Sequence, residues 1–149
     1  MSSTDTAVSG HAITDPATRS RFLEAVRFDS RGLVPVIAQA DGTGEVLMMA
    51  WANAEALEET LATGRVVYFS RSRNALWRKG ETSGQVQYLV DLRLDCDGDT
   101  VLALVRQEGV ACHTGRRSCF FRALRDEALT PISAPEADPE ALYGHKHGH

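Results

Sequence analysis

Polar and apolar positions alternate over short runs in this chain, and only two stretches carry helical spacing. From 85 to 94, Val86, Tyr88, Val90, Leu92 and Leu94 fall on one side, and Gln85, Gln87, Leu89, Asp91 and Arg93 on the other. A period of two predicts a half-buried strand, broken only by the apolar Leu89. Residues 33–38 and 46–51 are compact apolar runs separated by Asp41-Gly42-Thr43-Gly44, which predicts a hairpin. Pro35 places the first of these strands near a sheet edge, because proline has no N–H for a second ladder. Residues 66–69 predict another strand, and Asp97-Gly98 predicts a turn into a strand over 101–105.

Asp15-Pro16 reads as an N-cap followed by proline at the first helical position, and Phe22, Leu23 and Val26 give that short helix its apolar side. Asn53 caps a second helix that buries Ala56, Leu57 and Leu61 and stops at Gly64. There is no regular strand–helix alternation of the kind a parallel sheet requires. The expected fold is a small single domain, mainly antiparallel β or α+β, with two short helices. Residues 1–14 read as a disordered arm, 15–129 as the domain, and 130–149 as a disordered tail ending in Gly-His-Lys-His-Gly-His. The charged segment between 70 and 84 is read as a loop.

A chain of 149 residues is long enough for one real core. The formal charge of -4 argues against a nucleic-acid partner, whose binding surface would be basic. No apolar run approaches the roughly 20 residues of a membrane span, and no secretory signal is visible at the start. Three clustered cysteines suit reduced thiols better than a disulfide framework, so a cytoplasmic protein is expected.

The chemistry concentrates between Asp95 and Cys119. Cys96, Cys112 and Cys119 are soft ligands suited to zinc, and Asp95, Asp97 and Asp99 are hard ligands suited to magnesium. Zinc–thiolate bonds of about 2.3 Å require sulfurs within roughly 4 Å of one another. On a straight helix Cys112 and Cys119 would stand ~10.5 Å apart. The intervening His-Thr-Gly-Arg-Arg-Ser must therefore fold back, which Gly115 permits, or the ligands come from different chains. From spacing alone, buried cysteines acting as small hydrophobes remain an equal reading, and Asp-Cys-Asp-Gly-Asp reads first as a solvated hairpin turn. If residues 90–97 stay extended, Cys96 points away from Asp95 and Asp97. His113 is read as a neighbour of the metal, since ligands adjacent in sequence strain a tetrahedron.

Upstream, Arg71, Arg73, Arg78 and Lys79 surround Trp77, with Thr82 and Ser83 following. Cations with glycine-rich backbone hold phosphate, and an indole stacks on a base. An exposed basic loop is the plain alternative.

Four ordered blocks, MMAWANAEAL, VVYFSRSRNALWRKGETSG, LDCDGDTVL and ACHTGRRSCF, resemble the phosphoribosyl-AMP cyclohydrolase family of histidine biosynthesis over roughly residues 30–122. The resemblance implies zinc held by Cys96, Cys112 and Cys119 and magnesium held by Asp95, Asp97 and Asp99. It also implies an intertwined homodimer whose zinc ligands are shared between chains. Ala52 and Val110 depart from the usual methionine and proline, and neither carries chemistry. No room is expected for the pyrophosphatase domain that many relatives add.

The implied reaction adds water to C6 of an N1-ribosylated adenine, opening the N1–C6 bond of a doubly phosphorylated small molecule. His113 is the expected proton carrier. Arg71, Arg73, Trp77, Lys79, Thr82 and Ser83 are the expected substrate ligands, with Arg116 and Arg117 offsetting thiolate charge or binding phosphate. The rival reading is a structural-zinc module that binds nucleotides or single strands without turnover. A nucleoside deaminase is disfavoured because its His-x-Glu and Pro-Cys-x-x-Cys signature is absent.

Overall fold

A computed structural model describes residues 11–80 and 84–136. Thr82, Ser83 and most of the expected arm and tail lie outside the described residues. The elements are α1 (Pro16–Ala25), β1 (Val34–Ala40), β2 (Val46–Ala52), α2 (Ala54–Thr63), β3 (Val67–Ser70), β4 (Ala75–Arg78), β5 (Gln87–Leu94), β6 (Val101–Gln107), β7 (Arg122–Arg125) and β8 (Ala128–Pro131). Six strands form one sheet in the order β4-β3-β2-β1-β6-β5, and β7 and β8 form a separate hairpin. Every pairing is antiparallel except β1 with β6. This is the expected α+β fold with its two helices.

Both helices begin and end on local chemistry. Asp15 Oδ1 accepts from Ala17 N–H at 3.2 Å, with Pro16 in the first turn. Asn53 Oδ1 accepts from Ala56 N–H at 2.8 Å. Gly64 closes α2 at φ 76°, where its N–H returns to Thr60 O. Ala56, Leu57 and Leu61 then pack beneath the sheet with Val34, Val36, Leu47 and Tyr68.

Three expectations are corrected. First, β1 is central, between β2 and β6. Pro35 is tolerated there because the β6 ladder begins one residue later, at Val36↔Val101, so Pro35 faces a paired strand only at Trp51. Second, the segment after β3 is no plain loop. A turn over 71–74, with Asn74 at φ 53°, leads into β4, and Trp77 pairs with Tyr68 across the hairpin.

Third, the alternation of β5 changes face. Leu89 pairs with Val105 and Asp91 with Leu104, leaving Val90 as the extra residue of a bulge. Before the bulge Gln87 and Leu89 are buried; after it Leu92 and Leu94 pack on the core while Asp91 and Arg93 are exposed. Gln87 tolerates the interior because it is satisfied there. Tyr68 donates its hydroxyl to Gln87 Oε1 at 2.7 Å, and Gln87 Nε2 donates to Gln107 Oε1 at 2.9 Å. The apolar residue that breaks the sequence pattern, Leu89, marks the approach to this bulge.

The backbone from β5 to β6 turns against the end of α1. Arg27 N–H donates to Gly98 O at 2.7 Å, and Gly98 sits at φ +79°, where a Cβ would meet Ala25 O at 2.9 Å. Gly98→Ala therefore combines left-handed strain with a backbone clash, and we expect it to lower the unfolding free energy by about 2 kcal/mol, read from urea midpoints. An unchanged midpoint would mean that the turn relaxes freely.

Candidate active site

The chain leaves its extended path directly after Leu94, so the condition that would have set Cys96 opposite the aspartates is not met. Asp95 instead organises a tight turn. Its Oδ1 accepts from Asp99 N–H at 3.0 Å and Thr100 N–H at 3.2 Å. The turn brings carboxylate oxygens of Asp95, Asp97 and Asp99 within 4.8 Å of one another, all exposed. Partial desolvation raises the Asp95 carboxyl, but the N–H donors of Thr100 and Asp99 outweigh it and hold the group below its usual value. Asp99 is pushed up, first by its hydrogen bond with Asp97, then by desolvation and the charges of Asp97 and Asp95. Three crowded carboxylate oxygens with mutual repulsion form a hard donor set that fits magnesium.

The loop from 110 to 119 folds back as its spacing requires. Ala111 N–H donates to Arg117 O at 3.0 Å and Cys112 N–H to Arg116 O at 3.1 Å. Gly115, at φ 88°, makes the turn, and its N–H donates to Cys112 O at 2.9 Å. The returning arm of the loop is tied to the start of β2, with Cys119 N–H donating to Leu47 O at 2.7 Å and Ser118 Oγ to Val46 O at 2.8 Å.

Cys112 and Cys119 are thereby brought together. Cys112 is buried and its Sγ accepts from Thr114 Oγ1 at 3.0 Å. Cys119 is exposed as a residue, yet its sulfur is packed against its neighbours. Desolvation first, then the charge and contact of Cys112, push its thiol up to about 12, with Lys79 acting in the opposite direction. The raised Cys119 thiol and the Cys112 sulfur beside it make a fitting donor pair for a metal cation, which would offset the cost of ionising Cys119. Cys96 stands apart on the exposed aspartate turn, and among the described residues no set of three ligand atoms unites it with the other two cysteines. His113 is exposed at the tip of the folded loop.

The upstream cations separate. Lys79 is buried, donates to Ala111 O at 3.1 Å, and is pulled down by desolvation while Cys119 and Cys112 push it back up. It faces the thiol loop rather than open solvent. Arg78 clamps Glu59 through Nε at 2.6 Å and a second nitrogen at 2.9 Å. Arg71 lies over the Trp51 ring, its Cζ 4.9 Å from the centroid, and Arg73 stands exposed in the neighbouring turn. Trp77 packs against Tyr68 with ring centroids 5.4 Å apart and planes tilted by 40°. Arg116 donates to Ser133 O and covers the Phe121 ring at 4.0 Å, while Arg117 pairs with Glu45 at 2.8 Å.

Sequence reasoning missed a cleft of about 530 Å³ that opens beside the aspartate turn. Trp51, Phe28, Arg27, Asp97, Asp99 and Thr100 line it. The available signal was Trp51 itself, a large aromatic on the strand face opposite Ala50 and Ala52.

The family model described as phosphoribosyl-AMP cyclohydrolase matches residues 48–121. A phosphoribosyl-AMP cyclohydrolase of Granulibacter bethesdensis is 65% identical over 126 residues, covering 84% of this chain and 98% of that protein. Its counterpart from Rhodospirillum centenum is 66% identical over 132 residues, covering 89% and 98% respectively. The one from Alkalilimnicola ehrlichii is 66% identical over 131 residues, covering 86% and 92%.

Proposed function

The chain belongs to the phosphoribosyl-AMP cyclohydrolase family, and from that premise we propose that it hydrolyses the N1–C6 bond of the adenine ring in phosphoribosyl-AMP. The observation that carries the reading is the folded loop that sets Cys112 against Cys119 beside the exposed His113. Cys112 and Cys119 of one chain, with Cys96 of a second, would hold zinc, and Asp95, Asp97 and Asp99 would hold magnesium. Bound zinc supplies a Lewis acid that lowers the pKa of water toward neutrality.

The chain's own residues then move protons and orient charge. His113 takes a proton from the attacking water and returns one to N1 as that nitrogen leaves. The water oxygen ends on C6 as a carboxamide oxygen, N1 departs as a formamidine nitrogen, and no proton is gained or lost overall. Lys79, held by Ala111 O beside the two thiols, offsets part of their negative charge. Arg71 and Arg73, exposed on the β3–β4 turn, are left to meet substrate phosphate.

A second copy is required by this reading, because one chain converges only two of the three sulfurs. Phe120, Leu124, Leu129 and Ile132 favour it. They are 53% to 70% exposed, three of them on or directly beside the β7–β8 hairpin and Phe120 just before it, and a two-stranded hairpin is not stable alone in water. Among the described residues no helix is long and apolar enough to cross a membrane. Three free cysteines suit the reducing cytoplasm, where we place the protein.

The direct test mixes purified protein with phosphoribosyl-AMP, zinc and magnesium, and follows the ring-opened product by absorbance. Turnover that stops on chelation is expected. Binding of the nucleotide without any product would support the structural-zinc alternative instead.

A further inference from the structure

The aromatic side chain expected to stack on the substrate base was Trp77, but its ring is already engaged. It lies 5.4 Å from the Tyr68 ring, and Lys79 Nζ sits 5.8 Å from its centroid. Trp51 is placed differently. It sits near the end of β2, paired with Pro35 on one side and Phe69 on the other, on the sheet face that the helices do not cover. Its half-buried indole forms part of the cleft that also contains Asp97 and Asp99. A smaller cleft of about 300 Å³, sharing Leu33 with the first, adds Arg31, Asn53 and Arg71.

The chemistry of the indole fits one part of the substrate. Arg71 Cζ is 4.9 Å from the Trp51 centroid, so the ring face already accepts a delocalised, planar cation. Arg71 makes no ion pair with a carboxylate among the described residues, which leaves its donors available to an anion. An adenine substituted at N1 is itself a planar cation delocalised over a fused ring, whereas ring opening leaves only the imidazole flat and moves the charge onto a flexible formamidine arm. A π-face prefers the first over the second.

We propose that Trp51 is the platform on which the N1-substituted adenine stacks, within the cleft that carries the aspartate turn; this rests on the function proposed above. The indole positions the base and discriminates substrate from ring-opened product. Arg71, beside it, directs a phosphate toward the smaller cleft.

Steady-state kinetics of Trp51→Ala and Trp51→Phe test the assignment. Loss of a base-stacking aromatic is expected to raise KM by roughly 10- to 100-fold with kcat within about threefold of wild type, and phenylalanine should restore most of the affinity. Substrate should quench tryptophan fluorescence in the wild type, and Trp51→Phe should abolish that quench. Sedimentation of each variant separates the alternative in which Trp51 merely packs a subunit interface. An unchanged KM, a loss confined to kcat, or a defect that tracks dissociation of the assembly would each overturn the proposal. Absence of turnover in the wild-type protein would overturn the cyclohydrolase reading itself, so the two failures are distinguishable.

Discussion

Cys112→Ser, Cys119→Ser and Cys96→Ser are each expected to lose zinc and turnover together. A site left with two thiolates lacks both the affinity and the tetrahedral geometry that zinc requires. Metal analysis is the check: a variant with full zinc and near-normal turnover would remove that cysteine from the site. The position of Cys96 makes a sharper form of the experiment available. Cys112 and Cys119 converge through one folded loop, while Cys96 lies on the aspartate turn and joins no three-ligand set with them in a single chain. Chains carrying Cys96→Ser and chains carrying Cys112→Ser, unfolded together and refolded, should therefore complement. In a heterodimer one site combines an intact Cys96 from one chain with Cys112 and Cys119 from the other, and the second site is dead. Random pairing makes about half the dimers mixed, so activity should recover to roughly a quarter of wild type in a two-fold dimer with independent sites. Heterodimers that form and remain as inactive as the separate variants would place all three ligands in one chain.

His113→Ala is expected to behave in another way. As a proton carrier at the exposed tip of the loop it should keep zinc and substrate affinity but lose ~10²–10⁴-fold in kcat. Loss of zinc would make His113 a ligand, and an unchanged kcat would remove it from the chemistry. Cys112 accepts a hydrogen bond from Thr114, the residue on the far side of His113, so the loop carries its own support when the imidazole is removed. The two sets of variants are thus separable by metal content alone.

Local chemistry accounts for what was legible. Asn53, Gly64 and Asp15 specify helix ends through bonds to residues a few positions away, so their roles can be read without tertiary information. The turn at 41–44 and the need for Gly115 to fold the cysteine loop are of the same kind. The four sequence blocks also lie inside the stretch, residues 48–121, that the family model matches.

The remainder depended on contacts between distant segments. Pro35 signals an edge strand to any local rule, and only the offset start of the β6 ladder lets it sit in the middle of the sheet. Gln87 looks solvent-facing until Tyr68 and Gln107, 19 and 20 residues away, satisfy it inside. Lys79 reads as a phosphate-binding surface cation, and it is the fold of the 110–119 loop, 32 residues on, that captures it at Ala111 O. The local mark on Trp51 is only its size between Ala50 and Ala52; the end of α1 and the aspartate turn must arrive beside it before a cleft exists. The sequence by itself determined both helices with their caps, the strands β1, β2, β3, β5 and β6, and the donor chemistry, since these follow from short-range hydrogen bonding and side-chain type, while β4, β7 and β8 were not read from it. Tertiary structure alone decided which side chains are buried together and which share a cleft, because burial and cross-strand register are set by partners that no local window contains.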